Sequence, residues 1–547
     1  MERIWLKAYP PGVPADIDVS RFESLSDLLD ESFANYASRS AFVCMGHALT
    51  YAELDVMSRN LAAFLQDKGL ERGARVAVMM PNVLQYPVAM AAILRAGYVL
   101  VNVNPLYTPR ELEHQLIDSG AEAIILLDRF DAVLQAVQRN THVKHVVVAS
   151  IAEMMGLRAP LALDDHGSTP RVTFGEALAR GARTGFTRVR ISSGDVAVLQ
   201  YTGGTTGVSK GATLLHRNLV ANVLQTEAWR EPVTRDRKDI EQFVTAIALP
   251  LYHIFGLTVC AFMTMRTGGL GILIPNPREI PAMINALAGY AINSFPAVNT
   301  LYNALMSDPD FGKLDLSKLL IANGGGMAVQ QAVAAHWLER TGKTIIEGYG
   351  LSETSPCATS NPSNGSTFSG TVGVPLPSTY VSIRDDDGMP VPLGEPGEIC
   401  ISGPQVMAGY WNRPDETAKV TTPDGFFKSG DIGVMDERGF VRIVDRKKDM
   451  VNVSGFNVYP NEIEDVVAMH PGVFEVAAIG VPDGHSGEAV KLFIVRRDAA
   501  LTEADLLAFC KGKLTGYKRP KTIEFRAELP KSNVGKILRR KLRERAG

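Results

Sequence analysis

The chain has 547 residues, enough for about three or four folding units. Apolar residues make up 46% and charged residues 21%, which excludes wholesale disorder, and a net charge of -3 excludes bulk electrostatic binding of nucleic acid. Five cysteines (Cys44, Cys260, Cys357, Cys400 and Cys510) lie far apart without zinc spacing, so no disulfide framework is implied and a reducing, cytoplasmic setting is expected.

The opening Met-Glu-Arg-Ile-Trp-Leu-Lys lacks the apolar core of a signal peptide. Thr50-x-x-Glu53 is a capping box that opens a helix with apolar positions at Leu54, Met57, Leu61 and Phe64. Arg75 to Met80 reads as a buried strand, Val83 to Arg95 as a helix and Tyr98 to Val103 as a strand. Thr108-Pro109-x-Glu111 is a second capping box with Pro at the first helical position, and Ala123 to Leu127 is the next strand. This alternation predicts a parallel sheet covered on both faces.

A second α/β stretch begins near Asp195 and runs past Glu353. Within it, Ile254 to Met265 is apolar for only 12 residues before Arg266, too short to span a membrane, and predicts a buried helix or strand. From Gly373 to Asp445, short strands punctuated by Asp387-Gly388, Pro396-Gly397, Asp424-Gly425 and Arg438-Gly439 predict a small β-rich subdomain. A compact α+β unit follows Lys448, with a helix from Pro460 to His470, strands at Phe474–Gly480, Val490–Val495 and Thr522–Phe525, a helix capped by Thr502, and a basic helix from Ile537 to Arg545. Residues 511–547 carry 13 Lys plus Arg against three Glu, so the near-neutral total hides a strongly basic end.

The strongest local signal is Tyr201-Thr-Gly-Gly-Thr-Thr-Gly-Val-Ser-Lys-Gly211. Backbone N–H groups, hydroxyls and a Lys together suit phosphate. It is not a P-loop, because Lys210 sits between Ser209 and Gly211, and its flanks, Val196 to Tyr201 and Ala212 to Leu215, read as two strands.

This loop resembles the phosphate signature of the adenylate-forming enzymes, which include acyl-CoA synthetases, luciferases and peptide-synthetase adenylation domains. The resemblance continues in order through Glu347-Gly-Tyr-Gly-Leu-Ser-Glu-Thr354, Ser429-Gly-Asp431, Asp445-Arg-Lys-Lys-Asp449 and Pro530-Lys-Ser-Asn-Val-Gly-Lys536. Asn104 to His114, Gly403-Pro-Gln-Val-Met and Val453 to Glu464 resemble the family's bacterial long-chain fatty acyl branch. The family implies an N-terminal adenylation domain over residues 1–446, made of two parallel-type α/β subdomains and a small β-rich one. A mobile α+β domain over 447–547 would carry Lys536.

The resemblance also implies roles. Thr202, Gly203, Gly204, Thr205, Thr206, Gly207 and Lys210 would hold ATP phosphates, with Glu347, Tyr349 and Gly350 at the adenine. Asp431 and Arg446 would hold the ribose, and Lys448 would be the hinge. Glu353 would bind Mg²⁺, since that ion prefers one or two carboxylates plus phosphates and water. Ser352, where relatives usually have Thr, keeps a hydroxyl for the α-phosphate. Gly425-Phe-Phe-Lys-Ser-Gly430 replaces the more usual Gly-Trp-Leu-His-Thr-Gly, which leaves Asp431 intact but alters its neighbours.

Gly325 and Gly326, in Asn323-Gly-Gly-Gly-Met327, either line the adenine and acyl pocket or turn the chain. His253 is either a core histidine or a gate over the acyl carboxylate, and is not expected to act as a base. Gly455 and Phe456 would face the thioester site. Lys536 would stabilise charge on the phosphoryl oxygens during acyl transfer; as the first residue of a helix it would oppose the dipole, hinting at a nearby anion.

The implied reaction joins a fatty acid, ATP and CoA: acyl-AMP and pyrophosphate form first, then the CoA thiol displaces AMP. A ligase that passes its acyl group to a carrier protein, and a nucleotide-dependent acyl-binding or uptake protein, are the rival readings. No nucleic-acid partner is expected, and peripheral contact with the inner membrane is left open.

Overall fold

The computed structural model describes residues 2–156, 170–202 and 209–544. Five sheets organise it. The largest has eight strands, in the order Gly409–Tyr410, Lys210–Leu215, Val196–Thr202, Val99–Asn102, Arg75–Met79, Ala123–Leu127, His145–Ala149 and Arg171–Thr173. The last six run parallel, while Lys210–Leu215 and Gly409–Tyr410 join antiparallel at one edge. The central strands are buried at nearly every position, the all-apolar pattern that a sheet covered on both faces requires.

Local chemistry sets the helices between these strands. Thr50 Oγ1 accepts the Glu53 N–H at 3.2 Å while Glu53 Oε2 accepts the Thr50 N–H at 2.8 Å, so both predicted boxes are realised, Thr108 and Glu111 repeating the exchange. The helices they open are Tyr51–Asp67 and Pro109–Ser119. The apolar run near Ile254 folds as a π-helical segment, Gly256–Phe262, continuing into Met263–Arg266, all buried.

The second α/β region pairs Val244–Ile247, Leu270–Leu273, Ser40–Cys44 and His47–Thr50. Single bridges at Ser294 and Ala297 link it to the sheet of Ala322–Gly324, Ile345–Gly350, Cys357–Ser360 and Val374–Pro375. Trp337 anchors this half, edge-on to Tyr302 at 4.7 Å, and the Tyr302 hydroxyl reaches the carbonyls of Phe295 and Asn323 at 2.6 and 3.0 Å. The loop that begins at Asn323 is therefore tied to the core. An antiparallel sheet of Tyr380–Arg384, Gly397–Ser402, Phe427–Met435 and Val441–Arg446 matches the expected β-rich subdomain.

The chain after Lys448 forms the fifth sheet, Phe456–Val458, Val451–Val453, Gly487–Arg496 and Val473–Asp483, with Thr522–Arg526 parallel on Gly487–Arg496. Its own core includes Val458, Ile463, Val476, Leu492 and Leu506. One expectation fails here: the last helix is only Arg539–Arg543. Lys536 precedes it in a hairpin, closed by the Leu538 N–H on the Pro530 carbonyl at 2.8 Å and the Ser532 N–H on the Lys536 carbonyl at 2.7 Å. The helix-dipole hint attached to Lys536 therefore falls, because the Ser532 hydroxyl and carbonyls satisfy this backbone as a turn. All five cysteines are free thiols, and among the described residues no helix is long and apolar enough to cross a membrane.

Candidate active site

One cavity of about 1410 Å³ receives groups from both the large region and the C-terminal unit. Its floor is the strand Ile345–Gly350. Gly350 is required there by close approach, since a Cβ would fall 1.7 Å from the Pro356 carbonyl oxygen. Tyr349 is buried, and its hydroxyl donates to Asp431 Oδ2 at 2.7 Å. Asp431 faces Arg446 across two antiparallel strands, with Arg446 Nε 3.1 Å from Oδ1. A carboxylate has about four acceptor positions, so these two contacts leave Asp431 able to take further donors.

Glu347 behaves differently from its neighbour. Its Oε1 accepts the Val329 N–H at 3.2 Å, which braces the glycine loop, and Oε2 is buried without a partner among the described residues. Burial pushes its carboxyl up to about 8, with Asp465 of the C-terminal unit adding to the rise. Asp465 itself is pushed up to about 7 by burial and by Glu464. Two acidic groups from different parts of the fold thus share the cavity wall.

Glu353 and Ser352 sit on a short 3-10 turn, Ser352–Thr354. Glu353 Oε1 accepts the Tyr410 hydroxyl at 2.7 Å, its backbone carbonyl accepts the Met407 N–H at 2.8 Å, and burial raises its carboxyl. Glu353 Oε2 makes no hydrogen bond among the described residues. A single buried carboxylate with a free oxygen suits Mg²⁺ carried on phosphates, and no cluster of three or more ligating side chains occurs among the described residues.

Beside this turn, Lys210 lies 5.2 Å from the Tyr410 ring and pairs with Glu416. Thr202 is paired with Lys210 across the two strands, so the intervening loop does join two strands as expected. Gly203, Gly204, Thr205, Thr206 and Gly207 lie outside the described residues. Tyr410 and Glu416 are site residues that the sequence does not mark. Only the antiparallel edge pairing of Tyr410 with Ala212 brings them to the cavity.

Lys536 enters from the C-terminal unit. A Cβ built on Gly326 would come within 3.3 Å of Lys536 Cε, so the ammonium lies over the glycine loop. Burial and the Arg446 guanidinium pull it down to about 8, against the opposite pull of Asp431 and Glu353. Its loop is fastened to the helix Asn299–Ser307 of the large region. The Thr300 hydroxyl donates to the Gly535 carbonyl at 3.0 Å, and Gly535 adopts φ +81 where a Cβ would fall 2.9 Å from that hydroxyl oxygen. Asn303 Nδ2 donates to the Phe474 carbonyl at 3.0 Å and its Oδ1 accepts Arg497 Nη2 at 3.4 Å.

Below that loop, Arg539 donates to Glu464 Oε2 at 2.8 Å and to Asp445 Oδ1 at 3.1 Å. The hinge motif is thereby coupled to the helix that follows Lys536. Lys447 reaches Asp386 at 2.6 Å, while Lys448 is exposed.

In the same cavity His253 precedes the π-helical segment, where its Nδ1 faces the Phe255 N–H at 3.4 Å. Burial and Lys536 pull the imidazole down to about 3, so it is neutral throughout the physiological range and a poor base. Gly325 lies against the Phe255 ring. Gly455 and Phe456 do not line the cavity; Phe456 is exposed and stacks on Tyr517 at 4.6 Å. The structure thus gathers Thr202, Lys210, Gly325, Gly326, Glu347, Tyr349, Gly350, Ser352, Glu353, Asp431, Arg446, Lys448, His253 and Lys536 around one space, and leaves the Gly455 turn elsewhere.

Comparison with known proteins agrees with this geometry. Residues 29–411 match the AMP-binding enzyme family and residues 462–536 match the AMP-binding enzyme C-terminal domain. The chain is 50% identical over 558 residues to the long-chain-fatty-acid–CoA ligase of Escherichia coli O6:H1, covering 100% of this chain and 99% of the relative. It is 48% identical to the enzyme of that name from Haemophilus influenzae, covering 100% and 98%. Among solved structures, the anthranilate CoA ligase AuaEII in complex with anthranoyl-AMP superposes with a TM-score of 0.87 at 26% identity, covering 97% of this chain and 99% of that one. The chain belongs to the AMP-binding enzyme family.

Proposed function

We propose that the protein is a long-chain fatty acid–CoA ligase of the AMP-forming type. The observation that carries this reading is the convergence of Lys536, Glu353 and Asp431 on one cavity, each delivered by a different part of the fold. Near-full-length similarity to ligases of that name supports the substrate class.

Asp431 and Arg446 orient the ribose of ATP and Tyr349 offers its ring to the base. Lys210 turns from Glu416 to the phosphates, and the Ser352 hydroxyl lies within the same space. Glu353 would hold Mg²⁺, which when bound offsets phosphate charge. The fatty acid carboxylate attacks the α-phosphorus, and Lys536 stabilises the charge that spreads over the phosphoryl oxygens as pyrophosphate leaves. No protein base is needed, because the carboxylate is already ionised and neutral His253 only shapes its entry.

For the second step Lys536 withdraws and the CoA thiol attacks the acyl carbonyl, releasing AMP. We assign residues 1–446 to the adenylation domain and 447–547 to a C-terminal domain that turns about Lys448, bringing Gly455 and Phe456 to the thioester site. Five free cysteines suit a reducing cytoplasm, and the basic C-terminal segment suits peripheral contact with an anionic membrane face.

The test is pyrophosphate release against fatty acids from short to long chain, with AMP and acyl-CoA measured in parallel. Long chains should be preferred and turnover should require CoA. A maximum among short chains, or release of ADP, would overturn the reading.

A further inference from the structure

The helix His216–Thr234 and the buried segment Gly256–Phe262 form one wall of the cavity, through Thr226, Trp229 and Val259. Trp229 and Val259 are apolar and the Thr226 hydroxyl is satisfied by the Asn222 carbonyl, which leaves one charged residue. Arg230 lines the same cavity, and among the described residues its guanidinium has no hydrogen bond or ion pair.

The neighbouring acids are committed elsewhere. Glu227 pairs with Arg266 at 3.1 Å and Glu231 with Arg235 at 2.6 Å. Arg230 has only the Phe243 ring, 4.8 Å from its guanidinium carbon, and the nearby Cys260, whose thiol burial holds protonated. Burial lowers the guanidinium only to about 10, so it remains charged at neutral pH. A half-buried cation facing a cavity without an anion leaves a place for something to supply the missing partner.

Its position specifies that partner. Val259 lies six residues beyond His253 on one continuous segment, at most about 9 Å further along the axis. Arg230, beside Cys260 on that segment, thus lines the cavity further along it than His253. A planar guanidinium binds a carboxylate through two parallel hydrogen bonds.

We propose that Arg230 anchors a second, distal carboxylate, so that this enzyme also activates α,ω-dicarboxylic acids whose length spans the distance from Lys536 to Arg230. The inference rests on the ligase reading and extends its substrate class. One carboxylate of the diacid reacts with ATP beneath Lys536 while the other is held, unreacted, by Arg230.

The experiment measures pyrophosphate release by the full-length protein with monocarboxylic acids, the matching α,ω-diacids and their monomethyl esters. The unaltered enzyme should use diacids with kcat/KM within about tenfold of monoacids and prefer a diacid to its half-ester. Arg230→Met should raise KM for diacids by roughly 10- to 100-fold, as expected for loss of a charged hydrogen-bonded contact, and leave monoacids unchanged or improved. Arg230→Lys should retain part of the diacid activity. Equal loss on both substrate classes, or indifference between diacid and half-ester, would overturn the proposal. If Arg230→Met fails to fold, the half-ester comparison on the unaltered enzyme still decides. Absence of release with every acid would instead sink the ligase reading.

Discussion

The nucleotide floor and the lysine loop meet in one cavity but are held in opposite ways. The floor is locked within the large region: Tyr349, Asp431 and Arg446 form a chain of contacts across two sheets, and Tyr410 fixes Glu353. The loop and the unit that carries it are fastened to the large region by a few polar contacts, Thr300 to Gly535, Asn303 to Phe474 and Arg539 to Asp445. Interlocked side chains preorganise a site permanently, whereas a handful of hydrogen bonds, each contributing about 1 kcal/mol net, can be made and broken in a catalytic cycle. The molecule therefore keeps its recognition groups rigid and its charge-stabilising group removable.

The sharpest way to break this contrast is to remove the ammonium. Lys536→Ala should lower acyl-AMP formation by about 10²–10³-fold, the effect of losing one transition-state donor, while thioester formation from preformed acyl-AMP is less affected. Equal losses in both half-reactions, measured separately, would mean that Lys536 is not the adenylation cation.

Next in size is the hinge. Lys448→Pro fixes the backbone between the two regions and should slow the thioester step by up to about 10²-fold through misplacement, with adenylation largely kept. Single-turnover assays of each step would reveal the opposite result, equal impairment, if rotation about Lys448 is not used.

The fastening itself comes third. Asn303→Ala removes two contacts between the regions, about 1–2 kcal/mol, and should shift docking by roughly 5- to 30-fold. Adenylation should slow by that factor and the thioester step should not. If both steps slow together, Asn303 only stabilises the fold.

The smallest expected effect is on pH. Glu347 and Asp465 are raised to about 8 and about 7 in the docked arrangement, so docking takes up protons. An acid whose value is raised on docking disfavours docking as pH climbs from its ordinary range through the raised value. The C-terminal unit should therefore be released a few-fold more readily at pH 9 than at pH 6, which limited proteolysis near Lys448 would read. Glu347→Gln should flatten that dependence, and an unchanged slope would show that this acid does not report on docking.

Several parts of this arrangement were legible in the residues alone. Capping boxes at Thr50 and Thr108 act locally, within one helical turn, so their geometry follows from spacing. The parallel sheet followed from apolar runs alternating with amphipathic helices. The motifs at Tyr349, Glu353, Asp431 and Lys536 could be quoted but not joined, because their meeting is a matter of strand pairing. The register that sets Asp431 opposite Arg446 and Tyr410 opposite Ala212 belongs to sheets assembled from distant segments.

The same limit explains the errors and omissions. The last helix was expected from Ile537 because basic residues with apolar spacing look helical, yet the Ser532 hydroxyl and the Pro530 carbonyl draw that backbone into a hairpin. Glu416, Thr300 and Asn303 carry no sequence signal, since an ordinary surface helix would contain the same residue types.

The sequence by itself determined the local elements, the family and the chemical groups available, because those depend on near neighbours and on residue chemistry. Only the tertiary structure decided which groups share a space. It turns Arg230 to the cavity without an acid, clamps Lys210 with Glu416 and seats Lys536 on Gly326, since desolvation and charge pairing arise from what packs alongside.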